Sequence, residues 1–224
     1  MNTYTKEING IKYTIKVDDM LYFQSQALWR AISDIPVGRL KDGFKIQIGF
    51  SLYILQKAIS GYCIVTPDYE PTPFLKVTED LTLAFWIQME QLDMLQKYHI
   101  NGETIRFDDK IAVAKGSIVK PKICLQRFRD LGGSGWCVNE IFQNKDGKFS
   151  NVDTTEYESI YAYQLLNIRP SVLKALMLPY DYIVVIDGDD IIELLNEKDE
   201  SIITKNSPCL LYTSPSPRDR SLSR

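Results

Sequence analysis

The sequence predicts an α+β fold, antiparallel sheets with a few packed helices, and three observations predict it. Asn9-Gly10 stands between two runs, 4–8 and 11–17, that alternate polar and apolar residues. That dipeptide tolerates positive φ at both turn positions and is the strongest short hairpin signal. Phe44, Ile46, Ile48, Phe50, Leu52 and Ile54 alternate with Lys45, Gln47, Gly49, Ser51 and Tyr53, a period of two that lays an apolar wall along one strand. Leu81, Phe85, Met89, Leu92 and Leu95 recur at spacings of four and three, the stripe of a helix facing a core.

The remaining elements follow in order. Asp18 or Asp19 caps a helix running to about Ile32. Pro36, Gly38 and Asp42-Gly43 punctuate a loop before the alternating strand. Ser60-Gly61 turns the chain, and Tyr62 to Thr66 returns as an antiparallel partner. Pro67, Pro71 and Pro73 stiffen a loop, and Thr78-Glu79-Asp80 starts the striped helix, which runs to Tyr98. Strands are expected near Lys110–Val113, Ile123–Phe128 and Trp136–Phe142, with an exposed loop from Asn144 to Thr155 around Asp146-Gly147. Tyr161, Leu165 and Ile168 share one face of a helix over 159–168, and Pro170 suits the first turn of a second to about Met177. Tyr182–Ile186 is a short, wholly apolar strand turning at Asp187-Gly188-Asp189, and Asp190 to Leu195 fits helix or strand.

A chain of 224 residues fits one large domain or two small ones, with a boundary near residue 108. The tail, Cys209-Leu210-Leu211-Tyr212-Thr213-Ser214-Pro215-Ser216-Pro217-Arg218-Asp219 and onward, reads as a translated sequencing-library adapter. Residues 209–224 are therefore expected to be an artefact, with the natural end beyond residue 208 missing. The whole chain carries −3 and the tail +2, so residues 1–208 carry −5. Such a balance offers no field to phosphates, which argues against a nucleic-acid partner. No run approaches the ~20 apolar residues of a membrane helix. Met1 to Glu7 lacks the apolar run of a signal peptide. Cys63, Cys124 and Cys137 are odd in number and widely spaced, so they read as small core residues in a reducing, cytoplasmic setting.

Catalytic chemistry is poorly supplied. A nucleophile system would have to be built on the one histidine, His99, at a helix end. One histidine and scattered thiols give no paired zinc spacing, and no phosphate loop or dinucleotide fingerprint occurs. The motif with most chemical content is Asp187-Gly188-Asp189-Asp190 after an apolar strand, since carboxylates at a strand tip converge on hard cations. It is similar to the Asp-x-Asp of haloacid-dehalogenase-type phosphatases and of nucleotide-sugar glycosyltransferases. The dehalogenase-type motif opens a domain, whereas here only about twenty residues follow it before the tail. The glycosyltransferase reading lacks its upstream nucleotide-binding strand. A tight turn with solvated acids is the plainer account. Lys110, Lys115, Lys120, Lys122, Arg127 and Arg129 form a modest basic segment among acids, which reads as a solvated strand face. Trp136, after Gly132-Gly133-Ser134-Gly135, is a core residue if enclosed and an interface anchor if exposed.

Three stretches carry a family likeness. They are Ile123-Cys124-Leu125-Gln126-Arg127 through Asp130 to Ser134-Gly135-Trp136; Ile160-Tyr161-Ala162-Tyr163-Gln164-Leu165-Leu166 with Arg169-Pro170; and Leu178-Pro179 followed by Ile183-Val184-Val185-Ile186-Asp187. On these, residues about 110–196 resemble the immunity-protein-thirty-three-like domain of bacterial polymorphic toxin systems. The family pattern has an acid directly before Ser-Gly-Trp. Here Gly133 stands there and Asp130 comes earlier, so no role is carried over for that acid. The resemblance implies a cytoplasmic α+β domain over 109–200 that neutralises a cognate protein toxin by binding it, with no cofactor. Residues 1–108 form an N-terminal α+β region of no recognised family.

The first reading is therefore a non-enzymatic binding protein whose partner contacts come from Trp136, Ser134, Arg127, Asp187, Asp189, Asp190 and Glu193. The second is a metal-dependent hydrolase or transferase using Asp187, Asp189 and Asp190. The third is a structural domain acting through self-association.

Overall fold

The computed structural model describes residues 1–70, 72–143, 145, 149–152 and 156–203. Pro71, the Asp146-Gly147 turn and the adapter-like tail lie outside these residues. The chain divides into two compact units between Glu90 and Gln91. Both combine a mixed sheet with helices, so the fold class is α+β.

The first unit opens with the hairpin of β1 (Asn2–Ile8) and β2 (Ile11–Val17), paired from Asn2↔Val17 to Ile8↔Ile11. Asn9 and Gly10 take φ of 53° and 75°, the two left-handed positions a type I′ turn demands. Asp18 is the cap. Its carboxylate accepts the Met20 N–H and starts a 3-10 helix, Asp19–Gln24, which passes into α1 (Ser25–Asp34). Ser25, Leu28, Trp29 and Ile32 are buried at one-turn spacing and dock α1 on the sheet side.

The alternating run 44–54 is two strands, not one. β3 (Lys45–Ile48) and β4 (Ser51–Ala58) form a hairpin closed by Gly49-Phe50. The register explains the split. Directly opposed residues share a face, and the register pairs Ile46 with Tyr53 and Ile48 with Ser51. Even-numbered positions on β3 therefore share a face with odd-numbered positions on β4. Ile46, Ser51, Tyr53 and Leu55 are buried, while Leu52 and Ile54 are only partly so. β5 (Gly61–Pro67) returns antiparallel to β4, and β6 (Val77–Thr78) pairs with its end. The order is β1-β2-β5-β4-β3, with β2 and β5 parallel. Tyr13, Ile15, Val17, Leu55 and Ile64 fill its core.

α2 (Thr82–Lys97) begins in the first unit and ends in the second. Ala84, Phe85, Trp86 and Ile87 are all buried, so its first turns are enclosed on more than one side, while Met89 and Leu92 of the expected stripe are half-buried. The helix closes with paired hydrogen bonds, His99 N–H to the Gln96 carbonyl at 3.2 Å and Ile100 N–H to the Leu95 carbonyl at 2.9 Å. These are the two bonds of a Schellman motif, and His99 fills its left-handed position at φ 54°. The chain's one histidine is thus a helix terminator in a place where glycine is cheaper. His99→Gly is expected to raise stability by up to about 1 kcal/mol, read as a higher urea midpoint for the second unit.

The second unit contains β7 (Lys110–Ala114), β8 (Lys122–Arg127), β9 (Trp136–Gln143), β10 (Phe149–Asn151), β11 (Tyr157–Tyr161), β12 (Ile183–Asp187) and β13 (Asp190–Leu195). Their order is β11-β7-β9-β8-β12-β13, with β10 against the end of β9. Among the described residues of this sheet only β7 and β9 run parallel. The helix expected over 159–168 is half strand. Residues 157–161 pair with the free edge of β7, and the helical turns begin only at Ala162. The Gln164 side-chain carbonyl accepts the Tyr161 N–H at 2.8 Å and marks that change. A 3-10 helix, Pro170–Ala175, follows α3 (Leu165–Ile168) with Pro170 in its first turn. Residues 190–195 resolve as strand.

Candidate partner-binding face of the second unit

The register assigns every side chain of β8, β9, β12 and β13 to one of two faces. Leu125, Val138 and Val184 point to one face together with Arg127 and Trp136. All five are enclosed, and the short helices lie against them: the Trp136 indole N–H donates to the Leu176 carbonyl at 2.9 Å. Cys124, Asn139, Val185 and Glu193 point the other way.

This separates the seven residues expected to make contacts. Trp136, Ser134 and Arg127 are 0%, 2% and 2% exposed and face the interior, so their task in the free protein is to hold the scaffold. The Arg127 guanidinium donates to four backbone carbonyls: Ser134 at 3.0 Å from Nε, Leu178 at 2.6 Å and Glu103 at 3.4 Å from Nη1, and Thr104 at 3.2 Å from Nη2. Its plane lies over the Tyr180 ring, 4.4 Å from the centroid. Burial pulls its pKa below the usual arginine value, while Tyr180, Glu103 and Asp109 act in the opposite direction. Ser134 Oγ donates to the Lys110 carbonyl at 2.7 Å and accepts the Trp136 N–H at 3.2 Å. Between them Gly135 has φ 79°, and a Cβ there would stand 2.5 Å from the Phe128 carbonyl oxygen. The Ser-Gly-Trp segment therefore depends on close backbone approach.

Asp187, Asp189, Asp190 and Glu193 sit on the β12–β13 hairpin. Asp189 and Asp190 are exposed and Asp187 and Glu193 half-buried. Lys122 pairs with Asp187 at 3.2 Å, and Lys174 Nζ donates to the Asp189 carbonyl at 3.2 Å. A second buried arginine, Arg169, anchors the turn. It donates to the carbonyls of Ile118, Lys120 and Pro121 and to that of Gly188. Burial lowers its pKa, and Asp189 and Asp187 oppose that. Among the described residues no group of three or more His, Cys, Asp or Glu side chains is placed to hold a metal ion.

The helix-free face carries a cavity of about 510 Å³. Cys124, Ile141 and Val185 form its apolar floor, and Phe149 and Ile183 pack against them. Gln126, Ser150, Asn151, Glu193 and Leu195 also line the cavity. Sequence reasoning missed this surface, although one signal pointed to it. A strand apolar at every position, as 183–186 is, has two faces to cover. Burial pushes the Cys124 thiol up to about 12 and raises Cys137 as well. Iodoacetamide at pH 8 is expected to label native Cys124 roughly 10³-fold more slowly than an ordinary thiol and readily once the chain is unfolded. Peptide mass mapping follows each cysteine separately.

Residues 90–197 match the family model of the Imm33-like domain. Over these residues the chain is similar to that family, which is consistent with an immunity-protein-like domain in its C-terminal half. No curated protein and no solved structure matches the chain. The match begins within α2, upstream of the motif stretches that resembled the family. Within the matched residues those stretches are largely interior. Arg127, Trp136 and Arg169 each join segments distant in sequence through backbone carbonyls. No helix among the described residues is long and apolar enough to cross a membrane.

Proposed function

We propose that the chain is a cytoplasmic, non-enzymatic immunity-type protein that binds a cognate protein toxin and neutralises it by occupancy. The observation that carries this reading is the Imm33-like match over 90–197. Two others support it. The buried arginines are spent on backbone carbonyls, and the Cys124 and Cys137 thiols are held protonated, so both serve structure. Asp187, Asp189, Asp190 and Glu193 supply contacts, while Arg127, Ser134 and Trp136 hold the surface in shape. Neutralisation of this kind needs complementary shape and charge.

Co-expression tests it. The toxin domain encoded beside this gene is expressed in a sensitive bacterial host with and without the chain. Protection together with a purifiable complex is expected; a host that dies equally in both cases, with no complex, sinks the proposal. The hydrolase alternative has its own check. Magnesium or manganese is expected to produce no saturable rise in melting temperature, in the wild type or in Asp187→Asn. A rise lost in the variant would favour the metal-dependent reading.

A further inference from the structure

The helix-free face of the second sheet has an apolar floor and an asymmetric charge. At its turn end the carboxylates face cations: Lys122 pairs with Asp187, and Asp187 and Asp189 sit near Arg169. Beyond the cavity the balance differs. Residues 193–200 hold Glu193, Glu197, Asp199 and Glu200 against Lys198 alone, four negative charges and one positive, or −3. None of these four carboxylates forms an ion pair among the described residues. The Glu193 carboxylate accepts a hydrogen bond from the Ser201 hydroxyl and also lines the cavity.

We infer that this face is the docking surface, and that its occupant is a basic protein segment. An apolar side chain of the segment descends onto Cys124, Ile141 and Val185, and a neighbouring lysine or arginine meets Glu193. The inference rests on the immunity reading only in naming a toxin as the natural owner of the segment. Charge selects the occupant. Among the described residues Glu193 is the one charged residue that lines the cavity, and it opens the segment 193–200 that carries −3, which disfavours nucleic acid and anionic lipid. A second copy seated on the same face about a twofold axis brings like carboxylates together. A cationic segment gains from Glu193 and the acidic residues that follow it in sequence during encounter, and from the cavity once bound.

The test uses the full chain and two synthetic fluorescent peptides of equal length, one alternating lysine and leucine, the other glutamate and leucine. Fluorescence anisotropy is expected to show the lysine peptide binding and the glutamate peptide not. Glu193→Lys and Ile183→Arg are each expected to weaken binding by roughly tenfold or more. Glu7→Lys makes the same charge change on the exposed edge of the first unit and is expected to leave binding within about twofold. Circular dichroism checks that Ile183→Arg is folded, and Glu193→Lys, at a half-exposed position, tests the surface independently. Equal binding of both peptides overturns the inference. So does indifference to Glu193→Lys, or a dimer in light scattering that Ile183→Arg disperses. In the co-expression assay, protection that survives both variants also overturns it while leaving the immunity reading intact. Absence of protection by the wild type, with peptide discrimination retained, sinks the immunity reading and leaves the surface standing.

Discussion

Replacing Arg127 with alanine is expected to destabilise the second unit by about 3 kcal/mol or more. Four backbone carbonyls, at residues 103, 104, 134 and 178, accept from its guanidinium. An alanine leaves them without that donor and empties the space between Tyr180 and Trp136. Each unsatisfied buried acceptor costs about 1–3 kcal/mol, although water entering the space recovers part of this. Arg127→Lys keeps the charge but loses the planar fork, so an intermediate loss is expected. Unit-resolved hydrogen exchange is the measurement, because a chain of two units need not unfold in one step. Amides of β8, β9 and 178–182 should lose protection while those of β1, β2 and β5 keep theirs. Unchanged protection in β8 and β9 would show that the carbonyls are satisfied some other way.

Arg127 also shows where sequence reading stops. Arginine is rarely enclosed, and a tryptophan beside glycines fits an interface as well as a core, so both residues read as contacts. Their burial depends on carbonyls delivered from segments up to 51 residues away, which no local pattern encodes. The same division runs through the fold. The Asn9-Gly10 hairpin and the Asp18 cap were legible because each is settled within a few residues. The 44–54 run was legible as β structure but not as a hairpin, since Gly49-Phe50 carries no polar turn signal and the apolar alternation continues through it. At 157–161 the helical spacing of Tyr161, Leu165 and Ile168 is real only from residue 162 onward; before it, the vacant edge of β7 supplies the hydrogen bonds. The acidic hairpin at 187–190 was visible, whereas the cavity beside it needed the β8–β12 register to bring Cys124 and Val185 side by side.

Gly61→Ala should be comparably damaging to the first unit, although the change adds a single methyl group. Gly61 has φ 108°, and a Cβ on it would stand 2.0 Å from the Lys12 carbonyl oxygen and 2.9 Å from its carbonyl carbon. Both atoms are backbone of β2, so no side chain can swing aside. Relief requires β2 and β5 to separate where they meet in parallel, at Tyr13↔Tyr62 and Thr14↔Cys63. That contact joins the β1–β2 hairpin to the rest of its sheet. Gly10 supplies the control. It also has positive φ, 75°, but a Cβ there meets nothing within 4 Å. Gly10→Ala therefore isolates the conformational cost, about 1 kcal/mol, and Gly61→Ala adds the collision. Overpacking that must move backbone costs about 1–3 kcal/mol and occasionally more, so a total near 3 kcal/mol is expected for Gly61→Ala. Hydrogen exchange should report it as faster exchange across β1, β2 and β5, with the second unit unaffected. Equal exchange in the two variants would mean that β2 is free to shift, and that the parallel pair is held less tightly than the Lys12 contact implies.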